Sequence, residues 1–234
     1  ARAVPPVLTA IRLTRPDSGL SEVRALLAAH PVPGPSFPRL DVIRAISRSA
    51  VVLTVSHLEA YLHNLTEEAV LFLAESCESG IDVPLRLRLR HSARPLEDAA
   101  KKAWEHRETI LFQLFDAARA LWTSGVSMAQ PLDHERLLSA LKTPRSKPLI
   151  RYFRDWGIDD IFTEITRKPT TRKEMYLRID ELGEKRNFIA HGDLNTQATA
   201  SDVKRYVVAV AAFCQRVDRV MSRRLERIGG SRPW

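Results

Sequence analysis

A long helical repeat between Arg39 and Ser79 constrains the fold of this chain more than any other feature of the sequence. Its apolar residues recur at steps of three and four residues, which places them along one face of an α-helix. The members of this stripe are Leu40, Ile43, Ile46, Ala50, Val51, Leu58, Tyr61, Leu65, Ala69 and Leu73. We expect this helix to end at Gly80 and to pack its apolar stripe against other helices.

Similar patterns predict helices over much of the remaining chain, so the predicted fold is all-α, a helical bundle. The further predicted helices cover residues 96–124, 133–141, 148–156, 158–166, 172–191 and 200–228. Residues Leu85–Arg90 instead alternate leucine and arginine with a period of two. By itself this alternation is typical of a short strand, and among helices an extended linker fits it equally well.

The N-terminal segment differs from the rest of the chain by its high proline content. Its prolines are Pro5, Pro6, Pro16, Pro31, Pro33, Pro35 and Pro38. One short helix fits between them, capped by Asp17 or Ser18 and stopped by Pro31. We therefore predict a Pro-rich arm over residues 1–39, a helical domain over residues 40–228 and a short tail over residues 229–234.

The amino-acid composition indicates which binding partners and which cell compartment to expect. The chain carries 36 Lys and Arg residues against 28 Asp and Glu residues, and this formal charge of +8 favours polyanionic partners. Cys77 and Cys214 fit neither a disulfide framework nor a zinc motif, so we expect both to be reduced core residues. No apolar stretch reaches the ~18 residues of a membrane span, and no phosphate-binding loop is present. We expect a cytoplasmic protein with no membrane segment, no cofactor and no metal.

The segment Glu184–Asp193, with the sequence EKRNFIAHGD, carries the residues best suited to chemistry. Asn187 and His191 are four residues apart and share one face of a helix. Arg186 is offset from His191 by about 140° around an ideal helix, so one helix alone does not bring this pair together. A second copy of the motif facing the first would complete the pairing, which predicts a homodimer.

These residue types suit the cleavage of RNA without a metal ion. The reaction needs a base for the ribose 2′-hydroxyl, an acid for the departing 5′ oxygen and a cation for the phosphate. His191 fits either proton-transfer role because imidazole titrates near neutral pH. Arg186 can bind the phosphate with two parallel N–H donors, and Asn187 can hold a phosphate oxygen or orient the His191 ring.

The stretch Arg186–His191 resembles the Arg-x4-His signature of the HEPN superfamily, whose helical domains include many RNases of toxin–antitoxin and phage-defence systems. More narrowly, the chain resembles the RiboL-PSP type of HEPN domain, roughly over residues 40–225. Three segments carry this likeness: Val52–Leu65 (VLTVSHLEAYLHNL), Lys142–Ile161 (KTPRSKPLIRYFRDWGIDDI) and Ile179–Val203 (IDELGEKRNFIAHGDLNTQATASDV).

The resemblance implies a two-fold dimer in which both motifs meet in one cleft and cut RNA without metal, leaving a 2′,3′-cyclic phosphate. It implies that Arg186 and His191 are the catalytic pair and that Asn187 is a polar helper. It also implies a toxin or phage-defence effector with an antitoxin or another partner protein. HEPN toxins silenced by a nucleotidyltransferase antitoxin carry a Tyr two places after the His, where this chain has Asp193. Control by modification is therefore not expected at that position.

The central motif and its neighbours also have simpler interpretations. Arg186 and His191 can cap helix carbonyls in a non-catalytic helical dimer that binds RNA or a partner protein. Glu59, inside an apolar run, either supports Arg186 or His191 or forms an unrelated ion pair. Asp193 is the other candidate for a supporting residue beside the catalytic pair.

Residues outside the motif have alternatives as well. We predict RNA-backbone contacts for Arg86, Arg88 and Arg90, and for Lys185 within the motif, although a charged helix face is often only a solvated surface. Three tryptophans fall in helical stripes and are predicted to lie in the core rather than to stack on bases. They are Trp104, Trp122 and Trp156.

Overall fold

The computed structural model of the chain describes residues 16–30, 40–126, 132–139, 141–193 and 195–234. The helices in these ranges are α1 (Pro16–Ala28), α2 (Leu40–Ser76), α3 (Leu85–Ala100), α4 (Trp104–Trp122), α5 (His134–Leu138), α6 (Ser146–Asp155), α7 (Ile161–Ile165), α8 (Pro169–Ala190) and α9 (Ala200–Gly229). A single 3-10 turn (Gly80–Asp82) lies between α2 and α3. The described part of the chain contains no strand, which confirms the all-α prediction. None of its helices combines the length and apolar character that crossing a bilayer requires.

Helix α2 is the centre of the bundle and packs against α1, α5, α8 and α9. Its buried residues recur at steps of three and four from Ser47 to Leu73, which confirms most of the apolar stripe, but Leu40 at its start is 60% exposed. They are Ser47, Ala50, Val51, Thr54, Val55, Leu58, Leu62, Leu65, Thr66, Ala69, Val70, Phe72 and Leu73. Tyr61 joins α2 to α9, since its hydroxyl lies 2.7 Å from the Asp218 carboxylate and 3.0 Å from the Cys214 carbonyl. Cys77 and Cys214 are free and buried, as predicted.

The alternating segment Leu85–Arg90 is helical, so both the strand and the extended-linker predictions are wrong. Helix α3 begins at Leu85, directly after Pro84, and buries Leu87 while Leu85 and Leu89 stay exposed. Leucine and arginine are both strong helix formers, and the segment contains no β-branched residue that would favour a strand. Helical propensity and packing against α4 therefore outweigh the period-two pattern.

The predicted helix over residues 96–124 is divided in two, because α3 ends at Ala100 and α4 begins at Trp104. This division changes which side chains are covered. Trp156 is fully buried, as predicted, but Trp104 is 64% exposed and Trp122 is 41% exposed. The core prediction is therefore wrong for these two residues. Periodicity identifies an apolar stripe but not whether a neighbouring element covers it.

Helix α1 begins at Pro16, so Asp17 and Ser18 lie inside it and are not its N-cap. Proline suits this first position because the first turn of a helix does not use its N–H groups. Leu20 and Val23 are buried against the bundle, where α1 packs on α2 and α9. The rest of the predicted arm, residues 1–15 and 31–39, lies outside the described residues.

Candidate functional site

The motif helix α8 ends in a Schellman motif built by His191, Gly192 and Asp193. His191 is the C-cap, and the Gly192 amide donates to the Ile189 carbonyl at 3.1 Å. The Asp193 amide donates to the Phe188 carbonyl at 3.0 Å. Gly192 has φ +81°, the left-handed conformation that glycine adopts at low cost. The sequence His-Gly-Asp therefore ends α8 at this point and leaves His191 as its last, C-capping residue.

Arg186 lies between Glu59 of α2 and its own neighbour Asn187. Its Nη2 atom is 3.7 Å from Glu59 Oε1, and its Nη1 atom donates to Asn187 Oδ1 at 3.4 Å. The side chains of Arg186 and Glu59 are each about one-third exposed. A guanidinium carries five N–H donors, so these two contacts leave donors free for an anionic ligand. The structure thus pairs Glu59 with Arg186, one of the two partners expected for it.

The surroundings of Glu59 make this pairing important. Its Oε1 atom is shielded from solvent and accepts no hydrogen bond from any residue that the structure describes. Burial raises the pKa of the Glu59 carboxyl above its ordinary value, and the positive charge of Arg186 opposes part of that rise. A shielded carboxylate is costly without a partner charge. Arg186 therefore acts as the counter-ion of Glu59, and this contact directs its guanidinium toward α2.

Asn187 contacts a second element, the loop before α6. Thr143 Oγ1 donates to Asn187 Oδ1 at 3.4 Å. That loop is fixed to α8 by Asp180, whose carboxylate accepts from the Ser146 amide at 2.7 Å and from the Ser146 hydroxyl at 2.6 Å. Gly183 permits this close approach, since a Cβ there would lie 2.7 Å from Arg145 Cγ. The Asn187 oxygen is thus oriented by groups from two directions.

Asp193 fixes the loop that follows the motif. Its carboxylate accepts hydrogen bonds from Thr196 Oγ1 at 2.6 Å and from the Asn195 amide at 2.8 Å. These bonds, first the one from Thr196, hold the pKa of the Asp193 carboxyl below its ordinary value. Arg48 of α2 donates through Nη1 to the Asp193 carbonyl at 2.6 Å and to the Thr196 carbonyl at 3.3 Å. Asp193 therefore supports the backbone beside His191 and not its ring.

The His191 side chain is exposed at the end of α8. Within the part of the chain that the structure describes, its ring makes no hydrogen bond or ion pair. The guanidinium of Arg186 instead points to α2, consistent with the offset of about 140° between the two positions on an ideal helix. Because the imidazole is exposed, it is accessible to a ligand or to a second copy of the motif.

The three arginines of α3 lie in different surroundings, because a helix directs alternate residues to different faces. Arg86 is exposed. Arg90 pairs with Asp155 of α6 at 2.8 Å. Arg88 is buried, donates through Nη1 to the Leu121 carbonyl at 2.8 Å and lies 5.1 Å above the Trp122 ring. Of these three residues, Arg86 alone is exposed.

Lys185 lies between α8 and the start of α9. Its ammonium group is 3.7 Å from Glu181, 3.9 Å from Asp202 and 3.2 Å from the Gln197 carbonyl. It also lies 5.9 Å above the ring of Tyr206. These contacts hold the loop after the motif onto α8, so Lys185 has a structural role whether or not it meets RNA.

The residues Arg48 and Thr143 were missed by sequence reasoning. Arg48 sits within a helix with no local pattern that separates it from other surface arginines. Thr143 lies in Lys142–Ile161, one of the three segments with family likeness. That likeness is the sequence signal that could have identified Thr143. The three segments with family likeness meet here: the first supplies Glu59, the second Thr143, and the third Arg186 with Asn187.

Comparison with known proteins identifies the family of the chain. The family model described as RiboL-PSP-HEPN matches residues 20–223, which is more than half of the chain and includes part of α1. Neither the curated proteins nor the solved structures gave a match.

Proposed function

The chain belongs to the RiboL-PSP-HEPN family, and on this premise we propose that it is a metal-independent endoribonuclease acting on single-stranded RNA. The proposed catalytic residues are Arg186, Asn187 and His191. The observation that carries the proposal is the arrangement in the last turn of α8, where a guanidinium and an amide contacted by neighbouring elements share one helix end with an exposed imidazole. This is the set of groups that phosphodiester cleavage by an internal hydroxyl requires.

The proposed reaction is a transesterification followed by release of product. A His191 ring removes the proton of the ribose 2′-hydroxyl, and the 2′ oxygen bonds to phosphorus. The bond from phosphorus to the 5′ oxygen breaks, and that oxygen takes a proton from an imidazolium. The products are a 2′,3′-cyclic phosphate and a 5′-hydroxyl. Arg186 and Asn187 bind the non-bridging oxygens, whose negative charge grows in the transition state.

This reaction needs an acid and a base at once, and the motif supplies one histidine. We propose that two subunits meet with their α8 ends facing each other, so that one imidazole serves as base and the other as acid. The exposed position of His191 supports this arrangement, since the ring is accessible to a partner. RNA would reach the cleft along basic side chains such as Arg86, and the biological role would be that of a toxin or phage-defence effector.

The test is cleavage of a labelled single-stranded RNA in the presence of EDTA. We expect wild-type protein to yield fragments ending in a 2′,3′-cyclic phosphate, and His191→Ala to lose at least roughly a hundredfold in rate. The matched control is His106→Ala, which removes an exposed imidazole from α4. Equal cleavage by the His191 and His106 variants would remove the catalytic assignment.

The second candidate function is RNA binding without cleavage. The observation that favours it is the engagement of Arg186 by Glu59, which a purely structural ion pair would also show. In that case Arg186→Ala would weaken RNA affinity in a salt-sensitive manner, and no cyclic-phosphate product would form with any variant or with wild type. The product assay therefore separates the two functions.

A further inference from the structure

Two histidines from distant parts of the chain meet on the surface, and one of them lies a helical turn along α2 from Glu59. His63 of α2 and His134, the first residue of α5, place their Nε2 atoms 3.2 Å apart. The rings are nearly perpendicular, with centroids 4.6 Å apart and an angle of 85° between their planes. The carboxylate of Glu135 adjoins them, and the three ligand atoms all lie within 4.8 Å of one another.

We propose that His63, His134 and Glu135 form a binding site for a divalent transition-metal ion of the zinc type. Zinc binds imidazole nitrogen at about 2.0–2.1 Å in tetrahedral geometry, which puts two ligating nitrogens about 3.3 Å apart. The Nε2 atoms of His63 and His134 already have nearly this separation. Without an ion this distance is that of a hydrogen bond between one protonated and one unprotonated ring nitrogen. The ion would take the place of the shared proton, that ring would carry its proton on Nδ1 instead, and both rings would turn to direct their lone pairs at the ion.

Glu135 is the third donor because the neighbouring carboxylate is otherwise engaged. Asp133 caps α5, accepting from the Glu135 amide at 3.0 Å and from the Arg136 amide at 3.3 Å. It also pairs with the Arg136 guanidinium at 3.0 Å, so these two charges balance. Glu135 is exposed, and its carboxylate needs to move by no more than about 1.5 Å to reach a ligand distance set by tetrahedral zinc. Water would occupy the fourth position.

The metal would connect α2 to α5 across 71 residues of sequence. No local spacing in the sequence indicates such a pair, which explains why we expected no metal. His63 lies one helical turn after Glu59, so the site would fix α5 against the part of α2 that carries Glu59. Metal binding that joins two elements stabilises the folded chain, because the unfolded chain lacks the assembled site.

The test uses the full chain without a polyhistidine tag, freed of metal by EDTA and dialysed into EDTA-free buffer at pH 7.5. We expect calorimetric titration with Zn²⁺ to show one ion per chain, and Co²⁺ to give the visible absorption of tetrahedral cobalt. His63→Ala and His134→Ala should each weaken Zn²⁺ binding at least roughly tenfold. Glu135→Gln should weaken it less, since an amide oxygen remains. His106→Ala and Glu108→Gln, which change exposed residues of α4, should bind like wild type.

A second measurement separates a real site from loss of folding. Added Zn²⁺ should raise the midpoint of thermal unfolding of wild type and of the His106 variant, but not of the His63 variant. Circular dichroism should show unchanged helix content in all of them. Zn²⁺ binding that is absent, or that persists unchanged in both histidine variants, would overturn the proposal. Because binding is measured without RNA, failure here does not bear on cleavage, and failure of cleavage does not bear on the metal.

Discussion

The Arg186 guanidinium lies 3.7 Å from the Glu59 carboxylate and joins the motif helix α8 to the central helix α2. This contact orients Arg186 at the cost of keeping a carboxylate in partly shielded surroundings. The pKa of Glu59 is raised by burial, so the site disfavours its charged form. We therefore expect that Glu59 serves to position the guanidinium of Arg186.

Glu59→Gln therefore separates the role of Glu59 in activity from any role in stability. The amide keeps the size of the side chain but removes the charge that holds Arg186. We expect kcat/KM for RNA cleavage to fall roughly ten- to hundredfold, because the guanidinium loses its fixed position. The midpoint of thermal unfolding should stay equal or rise, since a disfavoured charge is removed. Glu75→Gln, an exposed residue of the same helix, is the control, and a wild-type rate for Glu59→Gln would contradict this role.

The second prediction concerns Arg48, which contacts the loop that follows the motif. Its two hydrogen bonds to the carbonyls of Asp193 and Thr196 hold the loop after His191. Arg48→Ala should lower the free energy of unfolding by about 2 kcal/mol, because bonds from a charged donor are lost. Chemical denaturation measures this, with Arg44→Ala, an exposed residue one turn earlier, as control. Equal stability of the two variants would show that the Arg48 contacts contribute nothing.

The local features of this site could be predicted from the sequence, and its long-range contacts could not. Periodicity identified α8, and the His191-Gly192 pair identified its end, because both signals lie within a few adjacent residues. The contacts of Arg48 and Thr143 join positions more than 40 residues apart. They depend on how helices pack, and local pattern does not contain that information.

The same limit explains the error at α3. Alternation of leucine and arginine satisfies a strand pattern, yet α4 supplies a carbonyl at Leu121 and a ring at Trp122 that accept the buried Arg88. Burial of an arginine is unexpected from sequence, since a charge in the core requires a specific partner. The partner here is provided by tertiary structure. In the sequence, only the three segments with family likeness indicated that distant parts of the chain come together.

The contribution of Asp202, at the start of α9, to the free energy of unfolding should depend on pH. Its carboxylate accepts from the Thr199 amide at 3.0 Å in a capping box, and it also pairs with Lys185 and Arg205. Burial alone would raise the pKa of Asp202, but the bonds from Thr199 and Arg205 and the charge of Lys185 outweigh it and lower the pKa to about 2.

Since this folded-state pKa lies below the ordinary value of 3.8, the ionised carboxylate stabilises the fold above about pH 4 and loses its effect as the pH falls through about 2. Asp202→Asn should therefore lower the free energy of unfolding by about 1 kcal/mol at pH 7. The difference from wild type should vanish near pH 2. Denaturation at several pH values measures it, with the exposed Asp159→Asn as control. A difference that does not change with pH would show that charge is not the cause.

Mixing of wild-type and His191→Ala subunits tests whether the reaction needs an imidazole from each subunit. In a shared cleft, a mixed dimer of these two proteins has a single imidazole, so it lacks either the acid or the base. After complete subunit exchange in an equal mixture, we expect about a quarter of the activity of the same amount of wild type, because random pairing leaves a quarter of the dimers fully wild type. Each protein alone serves as control. About half of the wild-type activity after complete exchange would mean that each subunit acts with its own imidazole alone.

The last prediction concerns two glycines that share a conformation but not a location. Gly192 follows His191 with φ +81°, and Gly230 ends α9 with φ +73°. A Cβ at either position would meet no atom within 4 Å, so an alanine there adds backbone strain without a steric clash. Each substitution should lower the free energy of unfolding by about 1 kcal/mol. The two variants are therefore matched in stability.

Their effects on catalysis should differ. Gly192→Ala alters the backbone directly after the imidazole, and a displacement of about 1 Å there is enough to reduce kcat roughly a hundredfold. Gly230→Ala changes a helix end away from the motif and should leave kcat unchanged. Single-turnover cleavage at saturating protein measures this independently of RNA affinity. Equal losses in both variants would mean that the activity follows overall stability, and that the precise ending of α8 does not position His191.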